Sequence, residues 1–464
     1  MTDLKLPSAM AELRTDLGKI VADANQAAAR FSVLALARTG VQIRVDNREE
    51  HVVERAPTAG TVLSAFDGKT ITEHALGGFS RTEVQRAAQS LMSGVPFAKH
   101  EAPPREERRG DFSTPVQIDP LELSVQEKLD RCRDLHRRAR GSDARVTNVQ
   151  ISYSEYNQHA VYAALDANLA QRVQRVSLFV IVFVAGTDGQ VRYDWISRSG
   201  TGGWEVLQVS DEDLAGLVGR ALAMLSAKRI EPGDYDVITA PGVSGTICHE
   251  SFGHGVETDM FLKERARAAH FIGKRIGSDL VQIFDDPSYA GAFGSYFFDD
   301  EGQVAAPTRI VENGIFQRGI SDLYSSSALG IARSANGRRQ DYSRKAYARM
   351  SNTFFGAGTS TLDEMLAQVD SGIYLDKWYS GMEDPHGWGI QVSCHYGHEI
   401  KGGKITDRLF SPIGISGYVP DVLGSIRAAS NVLELEGGTC GKGHKEYVQV
   451  ASGGPHLLLK ARLG

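Results

Sequence analysis

The segment Cys248-His249-Glu250-Ser251-Phe252-Gly253-His254 brings two imidazoles and a carboxylate into a very short stretch of chain. Histidines are frequent zinc ligands, and a glutamate beside one of them is placed to take a proton from metal-bound water. The spacing constrains that chemistry. In the H-E-x-x-H pattern the histidines stand at i and i+4, about 40° apart on a helix that turns roughly 100° per residue. Here His254 follows His249 at i+5, about 140° around by the same geometry, so the pair cannot meet one ion from a straight α-helix. Either the segment is not a metal site, or its helix bulges or ends before His254, where Gly253 gives the backbone the freedom to do so.

A catalytic zinc also needs a third protein ligand and an open position for water. Close by are Cys248, Glu257 and Asp259. Cys248 points away from His249 in any regular element and is expected in the core. Glu257 would join as a ligand or support His254 from behind; the plain alternative is an exposed helix carboxylate. Farther along, Glu436–Gly443 (EGGTCGKG) presents Cys440 in a glycine-rich loop, with Lys442 near enough to favour the thiolate. A small buried turn residue is the plain reading of that cysteine. In Ser393–Glu399 (SCHYGHE), strand alternation sends Cys394, Tyr396 and His398 to one face and His395 to the other. They do not converge as a ligand set, although His395 or Tyr396 could line a pocket. Arg338, Arg339, Arg344 and Arg349 could hold a substrate carboxylate or tie loops together. The basic run Arg131–Arg145 reads as a solvated helix face, and Ser197–Gly203 (SRSGTGG) lacks the Lys-Ser/Thr of a phosphate-binding loop.

The elements that must position these groups follow from periodicity. Residues 8–30 read as an amphipathic helix carrying Met10, Leu13, Leu17, Ile20, Val21 and Ala24. Segments 32–37 and 41–45 read as a strand hairpin, 81–93 as a second helix and 123–139 as a third. Between them 101–116, rich in proline and charge, reads as an exposed linker. From Thr147 the period becomes two, giving strands at 147–155, 159–165, 175–186 and 190–198, the last two joined by the turn Gly186–Gly189. A helix at 211–228 and a strand at 233–240 then lead into the histidine motif, which sits where a strand becomes a helix. Beyond about residue 280 short strands and glycine turns return, with one interrupting helix at 361–369. The expected fold is α+β, with two domains of mainly antiparallel sheet and flanking helices, the second half richer in sheet. The expected boundary lies between 1–230 and 231–464.

Composition narrows the function. The chain has 464 residues, 42% hydrophobic and 23% charged, with a net charge of −6. Nothing in that balance recruits phosphates, so nucleic acid is not expected as a partner. The longest mostly apolar run, Val176–Ala185, is far short of the roughly 20 residues that span a bilayer, so no membrane role is expected. The first residues lack a basic region followed by an apolar core, so no signal peptide is expected. Four scattered cysteines do not make a disulfide framework, and a reducing cytoplasm is the expected compartment.

The motif HESFGHGVETD, followed by IFDDP, FDDEG, VENGIFQRGISD, NGRRQDYSRKAYARMSNTFF and GGTCGKG, resembles the TldD/PmbA family of metallopeptidases. The resemblance covers roughly residues 235–445 and is looser in the N-terminal half. It implies that His249 and His254 are zinc ligands in an H-E-x-x-x-H motif, that Cys440 is the third ligand, and that Glu250 is the general base. It further implies a TldD-like active subunit, since PmbA-like subunits have lost the motif. Such subunits pair as homo- or heterodimers around a chamber that admits extended, unfolded peptides, and family roles include trimming peptide precursors. The alternatives are a non-catalytic metal-binding partner or modulator subunit, its zinc completed by His395, His398 or Glu257, and a metallohydrolase of non-peptide substrates. A peptidase that ignores sequence should grip backbone through an exposed strand edge.

Overall fold

A computed structural model describes residues 4–25, 30–94, 107–443 and 445–464. In the first half, one seven-stranded sheet runs in the order Ile71–Gly77, Glu50–Phe66, Arg30–Val45, Val146–Ala164, Ala167–Ala185 and Arg108–Ser113. Val191–Thr201 pairs with Ala167–Ala185 as well. Every pairing is antiparallel except that of Arg108–Ser113. Helices cover one face of this sheet, while Leu34, Val62, Ala160 and Tyr162 of the other face pack with Phe298 from the second half. Leu129, Cys132, Leu135 and Ala139 of the helix Val125–Gly141 bury against Val149, Ile151 and Tyr153, and Leu214, Leu217 and Val218 of Asp211–Ala223 join the same core. The helices Ser8–Asn25 and Arg81–Gly94 pack with Phe31, Val33, Leu63 and Val161 in another. Capping boxes start two of these helices, Ser124 with Glu127 and Ser210 with Asp213.

Four expectations for this half need correction. Segments 32–37 and 41–45 are not two arms of a hairpin but one strand, Arg30–Val45, whose register shifts between Arg38 and Gly40. The glycine makes a bulge rather than a turn, because a Cβ there would overlap the Glu155 carbonyl oxygen of the neighbouring strand. Likewise 147–155 and 159–165 are a single strand, Val146–Ala164. Of the expected linker, 101–106 lies outside the described residues, while Arg108–Ser113 is a strand parallel to Ala167–Arg172. The first helix is described only to Asn25; the rest of its expected span, 26–29, falls outside the described residues, and Arg30 already belongs to the strand.

The second half is richer in sheet. Ser371–Asp384, Gly233–Thr239, Leu457–Leu463, Ile413–Tyr418 and Gly389–Lys401 follow one another across one sheet, and Ser371–Asp384 pairs with Gly389–Lys401 as well, closing that path into a ring. A second sheet runs Ile315–Phe316, Thr308–Glu312, Ile283–Asp285, Asn352–Phe355, Lys445–Gly454 and Glu434–Lys442, leaving Glu434–Lys442 at its edge. The helix Pro241–Phe252 lies between these sheets and buries Val243, Ile247, Cys248 and Phe252 in the largest core. The expected helix at 361–369 is Leu362–Leu366, opened by a Thr361–Glu364 capping box. It is not the only one beyond residue 280: Leu323–Leu329 and Val419–Gly424 are also helical, and both are too short for periodicity to reveal. No described helix is long and apolar enough to cross a membrane.

Candidate metal centre

The strand Gly233–Thr239 delivers the chain to Ala240, and Pro241 starts the motif helix at a position where its missing N–H costs nothing. The helix stops at Phe252. Gly253 adopts φ −94°, ψ −83°, its N–H donates to the His249 carbonyl at 3.0 Å, and His254 opens a separate 3-10 turn, His254–Val256. The break expected from the i+5 spacing is therefore present. A Cβ at residue 253 would overlap the His249 carbonyl oxygen and the Met350 sulfur, so only glycine fits the stop.

The break turns His254 back towards His249, with ring centroids 5.2 Å apart and planes nearly perpendicular at 88°. The third group comes from the edge strand. Cys440 Sγ lies 2.9 Å from His254 Nε2, and the ligand atoms of His249, His254 and Cys440 all fall within 4.8 Å of one another. Ligands arranged tetrahedrally on zinc stand about 3.5 Å apart, so two imidazoles and a thiolate at this separation fit that ion. Burial pushes the Cys440 thiol up, but the charges and hydrogen bonds of His249 and His254 outweigh it and bring the group down to about 5. Against the opposing effect of burial, Cys440 holds His249 above its usual range, and Glu257 followed by Cys440 does the same for His254.

Behind the triad is a buried ion-pair network. Glu257 is 1% exposed, which corrects its reading as an exposed helix carboxylate. Its Oε1 accepts from Arg349 Nε at 3.0 Å, its Oε2 accepts from Lys442 Nζ at 2.7 Å, and Oε2 lies 3.5 Å from His254 Nδ1. A carboxylate on the far nitrogen of an imidazole fixes its tautomer and leaves Nε2 free to face a metal. Lys442, His254 and Arg349 hold Glu257 below the usual carboxylate range although burial opposes this. Lys442 also donates to Asp259 at 2.7 Å, so its charge is engaged there rather than at the thiol. The cation that reaches the thiol is Arg349, fully buried, with Nη2 3.2 Å from Cys440 Sγ and 3.0 Å from the Cys440 carbonyl oxygen. Arg349 ties the two segments of the centre together, the second of the two roles its sequence context offered, rather than holding a substrate carboxylate.

The open side of the triad faces a cleft of ≈ 160 Å³ lined by Thr246, Glu250, Trp378, Glu436, Gly438 and Thr439, among others. Burial raises Glu250 to about 7, His249 pulls it down, and a hydrogen bond with Glu383 pushes it up. Glu383 was not anticipated. It stands two residues from Gly381, which also packs on Glu250, so strand alternation through 381 and 383 was the available signal.

Other candidates lie elsewhere. Cys248 is fully buried in the core. His395 and Tyr396 do not line the cleft: His395 Nε2 is 2.7 Å from the Tyr193 carbonyl oxygen among Tyr193 and Trp195, and Tyr396 is buried beside Met224 and Leu409. His398 faces Asp376, 3.7 Å away. Arg338, Arg339 and Arg344 are held by the Met350 carbonyl, by Glu73 and by Glu446 respectively.

Residues 232–462 match the PmbA/TldA metallopeptidase C-terminal domain, and residues 118–229 match the PmbA/TldA metallopeptidase central domain. A metalloprotease of Methanothermobacter thermautotrophicus is 30% identical over 344 residues, spanning 74% of each chain. A zinc metalloprotease TldD homolog of Saccharolobus solfataricus is 30% identical over 310 residues, 66% of this chain and 69% of that one. The fold resembles a Thermotoga maritima protein described as a candidate modulator of DNA gyrase (TM-score 0.77, 17% identity, 98% and 100% of the chains covered). It also resembles TldE from Thermococcus kodakarensis (TM-score 0.71, 16% identity, 98% and 99% covered). Domain matches across both halves and relatives at this identity and coverage establish that the chain belongs to the TldD/PmbA metallopeptidase family.

Proposed function

We propose that this protein is a zinc-dependent peptidase acting on extended, unfolded peptides, with His249, His254 and Cys440 as zinc ligands and Glu250 as the general base. The observation that carries this reading is the meeting of three ligand atoms within 4.8 Å beside a cleft that also holds Glu250. Zinc bound there would polarise a scissile carbonyl and lower the pKa of a bound water towards ~7. Glu250 sits at the same cleft with an affinity for protons near neutrality, so its carboxylate can take a proton and return it to a leaving amine. Glu257 holds the His254 ring, and Arg349 ties Cys440 to Glu257.

Peptide selection follows from the edge strand. Glu436 to Thr439 line the cleft immediately before Cys440 on a strand with one unpaired side, so an extended peptide can add to that edge through its backbone. Gly438, beside which the space is open, keeps a side chain out of its path, while the Gly437 N–H is taken by Ser199 Oγ at 3.0 Å. The set of three ligands leaves one position open, as catalytic zinc sites do, whereas a structural site closes with four. His395 and His398 face other partners and Glu257 lies behind His254, which counts against a purely structural zinc. We further propose that the protein is cytoplasmic, in keeping with four unpaired cysteines, that it pairs with a second copy or a relative lacking the motif, and that its chain divides near residue 230.

The test is zinc content and cleavage of an unfolded peptide by the wild type and by Cys440→Ala. We expect about one zinc per wild-type chain, with both zinc and cleavage lost in the variant. Full cleavage without Cys440 would overturn the reading.

A further inference from the structure

Next to the metal cleft is a larger cavity of ≈ 730 Å³, and the two share Thr439, the residue before Cys440. The cavity continues into a narrow recess that shares Arg38, Gln158, Arg175 and Gln449 with it. Four arginines from both halves of the chain face this space: Arg38 and Arg55 from one strand pair, Arg175, and Arg338.

None of the four has a carboxylate within ion-pair distance among the described residues. Each is held by neutral acceptors instead. Arg38 Nε donates to Gln158 Oε1 at 3.0 Å, and Arg55 Nη2 donates to the Tyr156 hydroxyl at 3.3 Å. Arg175 donates to the carbonyl oxygens of Phe293 and Ser295 at 2.7 and 2.6 Å, and Arg338 donates to the Met350 carbonyl while lying over the Tyr296 ring. Two further charged residues of the recess already have partners, Arg339 with Glu73 and Asp299 with Arg333. Asp300 and Asp341 are the remaining carboxylates at the walls, so guanidinium groups outnumber them.

Such an arrangement is costly unless an anion completes it. Arg175 is 3% exposed and Arg338 is 7% exposed, and positive charges withdrawn from water need a counter-charge. Burial, together with Arg338 and Arg38, pushes Arg175 down to about 9, the mark of a site with surplus positive charge. Guanidinium groups bind carboxylates through directional paired hydrogen bonds. The cavity opens where a peptide on the edge strand would pass Thr439.

We propose that this cavity is a carboxylate-binding subsite that holds an acidic group of the peptide engaged at the metal cleft. The group is either the peptide's C-terminal carboxylate or an Asp or Glu side chain. The inference rests on the peptide-binding reading of the cleft, but it concerns binding rather than cleavage.

The test measures fluorescence anisotropy of labelled, unstructured peptides on the full-length Glu250→Gln protein, which holds the cleft without cutting. One peptide has a free C-terminus and one internal Glu; a second is amidated at the C-terminus; a third carries Gln for Glu. We expect one of the two changes to weaken binding about tenfold, the usual worth of a charge-assisted hydrogen bond, and so to identify the source of the carboxylate. That loss should disappear when Arg55→Gln or Arg38→Gln is added. Arg55 is exposed, so its replacement leaves the fold intact, which a thermal melt checks. Equal binding of all three peptides, or the same loss in the arginine variants, overturns the subsite. If wild-type protein cleaves nothing yet carboxylate-dependent binding persists, the peptidase reading falls and the subsite stands. If it cleaves while binding ignores the carboxylate, the subsite alone falls.

Discussion

Replacing Glu257 with glutamine asks whether the buried carboxylate behind His254 maintains the centre. Glutamine keeps the shape and removes the charge. Lys442 retains Asp259 as a partner at 2.7 Å. Arg349 does not fare as well: it is fully buried, and its other acceptors are the Cys440 and Glu446 carbonyl oxygens and the Cys440 sulfur. Removing one partner of a buried ion pair costs about 3–5 kcal/mol. The amide oxygen can still accept from Arg349 Nε, so we expect the lower end, about 3 kcal/mol. At His254 the consequence is different. Without a carboxylate at Nδ1 the ring loses its fixed tautomer, and loss of such a partner weakens metal affinity about 10–100-fold. Urea unfolding of the metal-free protein reads the first effect, and competition for zinc against a chromophoric chelator reads the second. An unchanged urea midpoint with unchanged zinc affinity would refute the reasoning, because no buried charge would have lost a partner that mattered.

Gly253→Ala places a Cβ against the His249 carbonyl oxygen and the Met350 sulfur. We expect a loss of about 1–3 kcal/mol from overpacking, with weaker zinc binding as His254 shifts; wild-type melting and zinc content would show that the helix stop is not steric. His395→Ala should leave zinc content and peptide cleavage unchanged, because His395 packs among Tyr193, Trp195 and Tyr379 away from the cleft. Loss of zinc in that variant, measured by metal analysis, would return His395 to the ligand set.

Much of the centre was legible because its key constraint is local. The i+5 spacing of His249 and His254 demands a break in the helix, and Gly253 is the residue that permits one. Element types were legible wherever the period ran long, as in the helices Ser8–Asn25 and Val125–Gly141. Residues 38–40 misled because a glycine between two strand-like runs reads equally as a turn or a bulge, and only the pairing of the whole strand with its two neighbours decides between them. Glu257 misled because its burial depends on Arg349 and Lys442, each far away in sequence. The arginine-lined cavity was legible only in part: Arg338 stood among the residues that could hold a substrate carboxylate, but Arg38 and Arg175 join it only through the packing of one half of the chain on the other.

The proposed chemistry is tested most directly by Glu250→Ala, assayed together for bound metal and for cleavage of an unfolded peptide. Glu250 is adjacent to His249 but is not one of the three converging ligand groups. We expect the variant to keep about one zinc per chain, as the wild type does, and to lose cleavage by at least about a hundredfold. Unchanged cleavage with zinc in place would contradict the assignment of Glu250 as the proton acceptor and, with it, the peptidase mechanism.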